Sequence, residues 1–359
     1  MFLEFLYPLV RIFTPLNVFQ YITFRSAYAA LTTLLLCFLL GPRIIEHLRK
    51  LKVGQAIRND GPQTHLVKGG TPTMGGVMIL LSIIISVLLW QDFGSFKVWL
   101  CLGALAAFGI IGYVDDYLKI MKKNADGLRG WIKFGAQIAV GLAIALILYY
   151  SGETEISYLY IPFFKNPVID LGPFWIPFAV LLLVGESNAV NLTDGLDGMA
   201  AGLLIWVFTT LGILCYLTGR ADFSAYLGIP YIEGAGELAI FCFAAVGACV
   251  GFLWFNSHPA EVFMGDVGSL SLGGIIAVVS LIIKKEILIL IIGGVFVLEA
   301  ASVILQVLSF KLFKRRIFKM SPLHHHFELS GWVETKVVIR FWILGGLFAL
   351  IALSTLKIQ

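Results

Sequence analysis

The chain has 359 residues, 59% of them hydrophobic and 13% charged, with a formal net charge of +4 and a mean hydropathy of +0.91. A water-soluble domain carries about 25% charged residues, so this composition excludes one; with so small a charge and no nucleic-acid-binding motif, no nucleic-acid partner is expected. Apolar runs of roughly 17–22 residues recur instead, and segments of about 10 alternating residues are missing, which predicts an all-α polytopic membrane protein and excludes a transmembrane barrel.

In chain order, the opening MFLEFLYPLVRIF lacks the basic start and the small-residue cleavage site of a signal peptide and reads as an interfacial helix. Ten apolar segments follow, near 22–41, 73–90, 98–114, 132–150, 173–190, 199–218, 237–255, 267–283, 287–310 and 337–356. They predict about ten transmembrane helices in a single domain over residues 1–359, without internal repeat or linker. The stretch 151–171, SGETEISYLYIPFFKNPVIDL, alternates and is punctuated by Pro, Gly and Asn, which predicts a short hairpin. All five cysteines fall inside apolar runs with no CxxC pair and read as small buried hydrophobes.

Lys and Arg set the orientation. The connections after odd-numbered segments carry 18 of them, against 7 in the other connections and both tails, with Arg25 inside the first segment. The odd side is therefore expected to be cytoplasmic, and both termini and the hairpin periplasmic.

The unusual polar stretches all follow odd-numbered segments: HLVKGGTPTMGG (65–76), GYVDDYLK (112–119), NAVNLTDGLDGMA (188–200), WFNSHPAEVFMGDVGS (254–269) and MSPLHHHFELSG (320–331). Five of the ten aspartates (Asp115, Asp116, Asp194, Asp197 and Asp266) thus gather at one membrane edge, where ionisable residues are costly and mark function. Asn191, Asp194 and Asp197 repeat every three residues and would share one helix face. Gly195 and Gly198 allow close approach or positive φ, and Gly265 and Gly268 flank Asp266 where a helix N-terminus would favour a phosphate. Carboxylates beside a phosphate site call for a hard bridging cation, and Mg²⁺ fits best, since otherwise the acids repel one another. Glu299 reads as a hydrogen-bonded interhelical contact, His65 and His258 as ordinary loop residues, and the triple histidine lacks the partners of a zinc cage. Glu186 fits none of these patterns.

In this order, GYVDDYLK, NAVNLTDGLDG, FMGDVGS and PLHHHFELSGW, with RNDGPQTHLVKGGTPTMGG before them, resemble the bacterial phospho-N-acetylmuramoyl-pentapeptide transferase family. The likeness covers essentially the whole chain. The aspartate motifs alone point to the wider superfamily of polyprenyl-phosphate sugar-1-phosphate transferases, and the histidine block and KGGTPTMGG to the peptidoglycan branch. The resemblance implies Mg²⁺-dependent transfer of phospho-MurNAc-pentapeptide from UDP-MurNAc-pentapeptide to undecaprenyl phosphate. The products are lipid I and UMP, formed on the cytoplasmic face of the bacterial inner membrane by an enzyme that is often a homodimer. It implies Asp266 as Mg²⁺ ligand, Asp115 as the base that deprotonates or orients the lipid phosphate with Asp116 beside it, and Asn191, Asp194 and Asp197 near the diphosphate and nucleoside. Gly195, Leu196 and Phe263 match a uridine pocket, Lys68, Lys119 and Lys133 are cationic positions, and His324, His325 and His326 border the sugar–diphosphate end. The alternatives are a sibling enzyme that transfers N-acetylglucosamine-1-phosphate and, more remotely, an ion-coupled transporter. A transporter would place its acids near the midplane and repeat one half in the other.

Overall fold

The computed structural model of the chain describes residues 1–50, 70–122, 127–153, 155–162, 164 and 167–356. Among the described residues ten main helices, labelled here in chain order, form a bundle: α1 (Ile22–Lys50), α2 (Gly76–Trp90), α3 (Phe96–Lys122), α4 (Gly130–Tyr149), α5 (Trp175–Thr193), α6 (Met199–Thr218), α7 (Glu237–Asn256), α8 (Gly265–Ile282), α9 (Gly294–Phe313) and α10 (Glu334–Ser354). Nine are long and apolar enough to cross a membrane, and the chain is a multi-pass membrane protein. The exception, α2, has 15 residues and rises about 22 Å. The sequence starts that segment at residue 73, but backbone bonds hold the residues before Gly76 in a loop: Phe263 N–H to Pro72 O, Gly75 N–H to Phe263 O and Gly76 N–H to Met264 O, each 2.8 Å.

The bundle is built around α8, whose residues Asp266–Ile282 are all buried. A helix that is apolar and small-sided all round can be packed on every side, and α8 lies against α3, α5 and α2. By contrast α4, α9 and α10 keep long apolar faces outward, as helices do that meet lipid. The connections between α1 and α2, α3 and α4, α5 and α6, α7 and α8, and α9 and α10 leave from and return to one end of the bundle.

The opposite end is tied by Arg25. Its buried guanidinium forks onto both oxygens of Glu237 (2.7 and 2.6 Å) and reaches the Trp90 carbonyl (3.3 Å), joining α1, α7 and α2. The expected hairpin is present as an antiparallel pair of two-residue strands, β1 (Tyr158–Leu159) and β2 (Ile169–Asp170). The N-terminus is a helix over Phe2–Leu6 followed by 3₁₀ turns, with Phe5, Ile12 and Phe13 exposed. Lys284 and Lys285, counted by sequence among the loop charges, are buried beside Glu286.

Candidate active site

Three carboxylates from two helices meet at the many-connection end. Asp115 and Asp116 lie near the end of α3 and Asp266 in the first turn of α8, and all three are buried. One oxygen from each falls within 4.8 Å of the others. Only close backbone approach permits this. A Cβ on Gly112 would come within 2.2 Å of the Asp266 carbonyl oxygen. Gly265 has φ +71°, and a Cβ there would sit 2.5 Å from Asp116 Oδ2.

Two ammonium groups balance the acids. Lys119 Nζ lies 2.6 Å from Asp115 Oδ2, 3.0 Å from Asp266 Oδ2 and 3.4 Å from Asp116 Oδ1. Lys133, from the first turn of α4, reaches Asp266 Oδ2 at 2.5 Å and Asp115 Oδ2 at 3.8 Å. Three negative and two positive groups leave a formal charge of −1. The remaining bonds orient the acids: Leu128 N–H donates to Asp115 Oδ1 (2.9 Å), Val267 N–H to Asp116 Oδ2 (3.2 Å) and Asn191 Nδ2 to Asp266 Oδ1 (2.7 Å) and Ser269 Oγ (2.8 Å). Buried carboxylates, all hard oxygen donors, suit a divalent cation of the Mg²⁺ or Ca²⁺ kind, and no sulfur or imidazole enters the set.

Asn191, Asp194 and Asp197 do not share a face. The helix α5 stops at Thr193, Asp194 leaves it with ψ 56°, and Gly198 is left-handed at φ +77°. Asn191 and Asp194 therefore turn to the carboxylate cluster. Asp194 faces the Gly265 N–H, and loss of hydration, then Asp266 and Asp116, push its carboxyl up to about 7. Asp197 points elsewhere. Its Oδ2 lies 2.9 Å from His258 Nδ1 and takes the Ala260 N–H at 3.2 Å, while its own N–H donates to Glu334 Oε1 (3.0 Å). His258 is thus no ordinary loop residue: with Asp197 and Glu334 it joins the α5–α6 turn, the α7–α8 loop and the start of α10. Asn256 braces the same corner, taking the Gly198 N–H (3.0 Å) and donating to Val262 O (2.8 Å).

The three histidines diverge. They sit on a short helix, Leu323–Glu328, whose first N–H groups, those of Leu323 (2.7 Å) and His324 (3.1 Å), are taken by the buried carboxylate of Glu299. Glu299 is the interhelical contact expected of it, acting as a cap supplied by α9. The buried His324 ring lies against Gly195, where a Cβ would be 2.3 Å from its Nε2. His325 Nδ1 pairs with Glu328 (2.8 Å), and His326 Nδ1 takes the Lys319 N–H (3.1 Å). Phe263 is half-buried in the loop leading to Asp266, and Leu196 is buried. Lys68 and His65 lie outside the described residues. Sequence reading missed Asn256, His258, Ser269 and Glu334 as site residues. Asn256, His258 and Ser269 all lie within the stretch 254–269 already singled out, and that was the available signal. Glu186 is buried in α5 with Oε2 unpaired, and nothing in the structure explains it.

The model of the glycosyl transferase family 4 matches residues 98–284, the stretch that carries all three clustered aspartates. Curated relatives match over the full length of both chains: the phospho-N-acetylmuramoyl-pentapeptide-transferases of Thermodesulfovibrio yellowstonii at 52% identity, of Citrifermentans bemidjiense at 51% and of Syntrophus aciditrophicus at 50%.

Proposed function

The chain belongs to the phospho-N-acetylmuramoyl-pentapeptide-transferase family, and from that membership we propose that it transfers phospho-MurNAc-pentapeptide from UDP-MurNAc-pentapeptide to undecaprenyl phosphate, giving lipid I and UMP. This is a phosphotransferase step of peptidoglycan synthesis. The observation that carries it to particular residues is the buried Asp115–Asp116–Asp266 cluster with Lys119 and Lys133 at the ends of membrane-spanning helices. There a lipid phosphate arriving from the bilayer can meet a nucleotide arriving from water. The excess of Lys and Arg on the connections at this end supports a cytoplasmic site and periplasmic termini, in the inner membrane.

An oxygen of the lipid phosphate attacks the phosphorus attached to the sugar, the bond from that phosphorus to the bridging oxygen breaks, and UMP leaves with the electron pair. Such a transfer needs positioning and charge neutralisation above all. Mg²⁺, when bound, supplies that neutralisation at the pyrophosphate, and Asp266 with Asp115 and Asp116 would hold it. Asp115 accepts or orients the proton of the lipid phosphate; Lys119 holds it in place, and the two adjacent carboxylates titrate as a pair. Both oxygens of Asp266 are engaged, by Asn191 and by the two lysines, which favours an anchoring role over that of a free nucleophile. Asn191 and Asp194 face the diphosphate. Gly195, Leu196 and Phe263 form the uridine pocket, with Phe263 stacking on the base; Asp197 lies near the nucleoside, and Lys68 adds positive charge. His324, against Gly195, borders the sugar–diphosphate end with His325 and His326 beside it. Two chains pair as a homodimer.

The test is UMP release by purified protein with a polyprenyl phosphate acceptor, comparing the muramyl-pentapeptide donor with UDP-N-acetylglucosamine, each with Mg²⁺ and with excess chelator. Release from the muramyl donor alone, and only with metal, is expected. Release from the acetylglucosamine donor instead moves the chain to the sibling branch and removes the role given to the histidines.

A further inference from the structure

The outward face of α9 stays apolar to its last residue: Leu308 and Phe310 are exposed, and Leu312 and Phe313 are exposed by 71% and 70%. The chain then turns at Lys314 (φ +55°) and runs back along the helix. This return is built. Gln306 takes the N–H groups of Ile317 (2.9 Å) and Phe318 (3.0 Å) and donates to Phe318 O (3.0 Å), and Ser309 donates to the Arg315 carbonyl (2.9 Å). The tip holds Lys311, Lys314, Arg315, Arg316 and Lys319, all exposed, and among the described residues none is paired with a carboxylate. The sequence has no Asp or Glu between Glu299 and Glu328.

An apolar wedge crowned by fixed cations complements acyl chains lying beneath anionic headgroups. The orienting bias of Lys and Arg alone would ask only for charge on the correct side, with no folded return and no exposed aromatics among the cations. The tip also leads straight into the histidine-bearing helix. Lys319 N–H donates to His326 Nδ1 and Lys319 Nζ to the Leu329 carbonyl, both at 3.1 Å.

We propose that residues 309–319, at the end of α9, dock the headgroups of anionic phospholipids, and that this docking sets the position of the histidine-bearing helix beside the active site. The first half stands on the tip alone; the second rests on the function proposed above.

The test uses full-length protein in nanodiscs of phosphatidylcholine alone or of an equal mixture with phosphatidylglycerol. Electron spin resonance of spin-labelled phosphatidylglycerol and phosphatidylcholine reads the lipid held at the protein surface, and UMP release reads activity. The wild type is expected to select phosphatidylglycerol and to turn over several-fold faster in the mixed discs. The K311Q/R315Q/R316Q variant, which touches no active-site residue, is expected to melt as the wild type does, to hold both lipids alike and to run at the slower rate in both discs. Equal association of both lipids with the wild type, or unchanged selectivity in the variant, overturns the docking site and assigns the tip to an acidic protein partner. Lost selectivity with stimulation intact overturns the coupling to the histidine helix. Selective lipid association with no turnover of either donor leaves the docking site standing and counts against the proposed function instead.

Discussion

Asp194 stands one residue beyond the end of α5, against the Gly265 N–H and within the field of Asp266 and Asp116. Its carboxyl is pushed up to about 7 by loss of hydration and those two charges. For an acid raised in the folded state, the associated stability is full below the ordinary carboxylate range and is lost as pH rises through about 7. With chelator present, Asp194 is therefore expected to cost the wild type up to about 1 kcal/mol between about pH 6 and about pH 8, after discounting for the coupled neighbours. Thermal melting of Asp194→Asn should fall less steeply than the wild type over that interval. An unchanged slope in the variant would assign the pH dependence to another group. Asp266 makes a separate demand. Asp266→Asn keeps the shape but removes one of the three charges, so Mn²⁺ bound to the wild type and seen by electron spin resonance should be lost from a variant that still melts in a single cooperative transition. A variant that still binds Mn²⁺ would place the cation elsewhere.

At the scale of elements, α8 holds the site because it is buried along its length and begins at the carboxylate cluster. One of its neighbours, α2, is tied to α1 and α7 at the opposite end by Arg25 and Glu237. Arg25→Met leaves a largely buried carboxylate without its partner and should cost roughly 3–5 kcal/mol in melting experiments. Arg25→Met with Glu237→Met should recover most of that loss, and equal destabilisation in both would show that the ion pair is not the tie. On the site side, Glu299 caps the helix that carries the histidines. Glu299→Ala should lower turnover roughly 10–100-fold by letting His324 move from Gly195. Glu299→Gln, which keeps one oxygen acceptor, should retain more activity; identical rates in the two variants would argue against a capping role. The segments themselves were legible because a bilayer demands long apolar helices, and each of the ten has its helix, although α1 and α3 run on to Lys50 and Lys122, past the expected ends at 41 and 114, and α9 starts at Gly294 instead of 287. The expected common face of Asn191, Asp194 and Asp197 failed because periodicity cannot show where a helix stops, and α5 stops at Thr193. The burial of Lys284 and Lys285 was equally hidden, since a loop lysine in sequence carries no sign of what folds over it.

Across the whole molecule, alternation of ten helices brings five connections to one end, and the residues of interest lie on those connections or at the helix ends beside them. That much follows from counting spans, which is why Asp115, Asp116 and Asp266 could be grouped from sequence although Asp266 lies 150 residues beyond Asp116. What counting cannot give is the contacts that join one connection to another. Asp197, His258 and Glu334 come from three segments, and Glu299 reaches across to the histidine helix; each is a tertiary contact with no local signature. The most direct measurement is UMP release from the muramyl-pentapeptide donor by the wild type and by Asp115→Asn, Asp116→Asn and Asp266→Asn, each checked for an unchanged melting temperature. If the cluster is where transfer occurs, every one of the three falls by roughly 10²-fold or more in kcat. A folded variant that turns over at the wild-type rate would contradict that, and would take its carboxylate out of the reacting site.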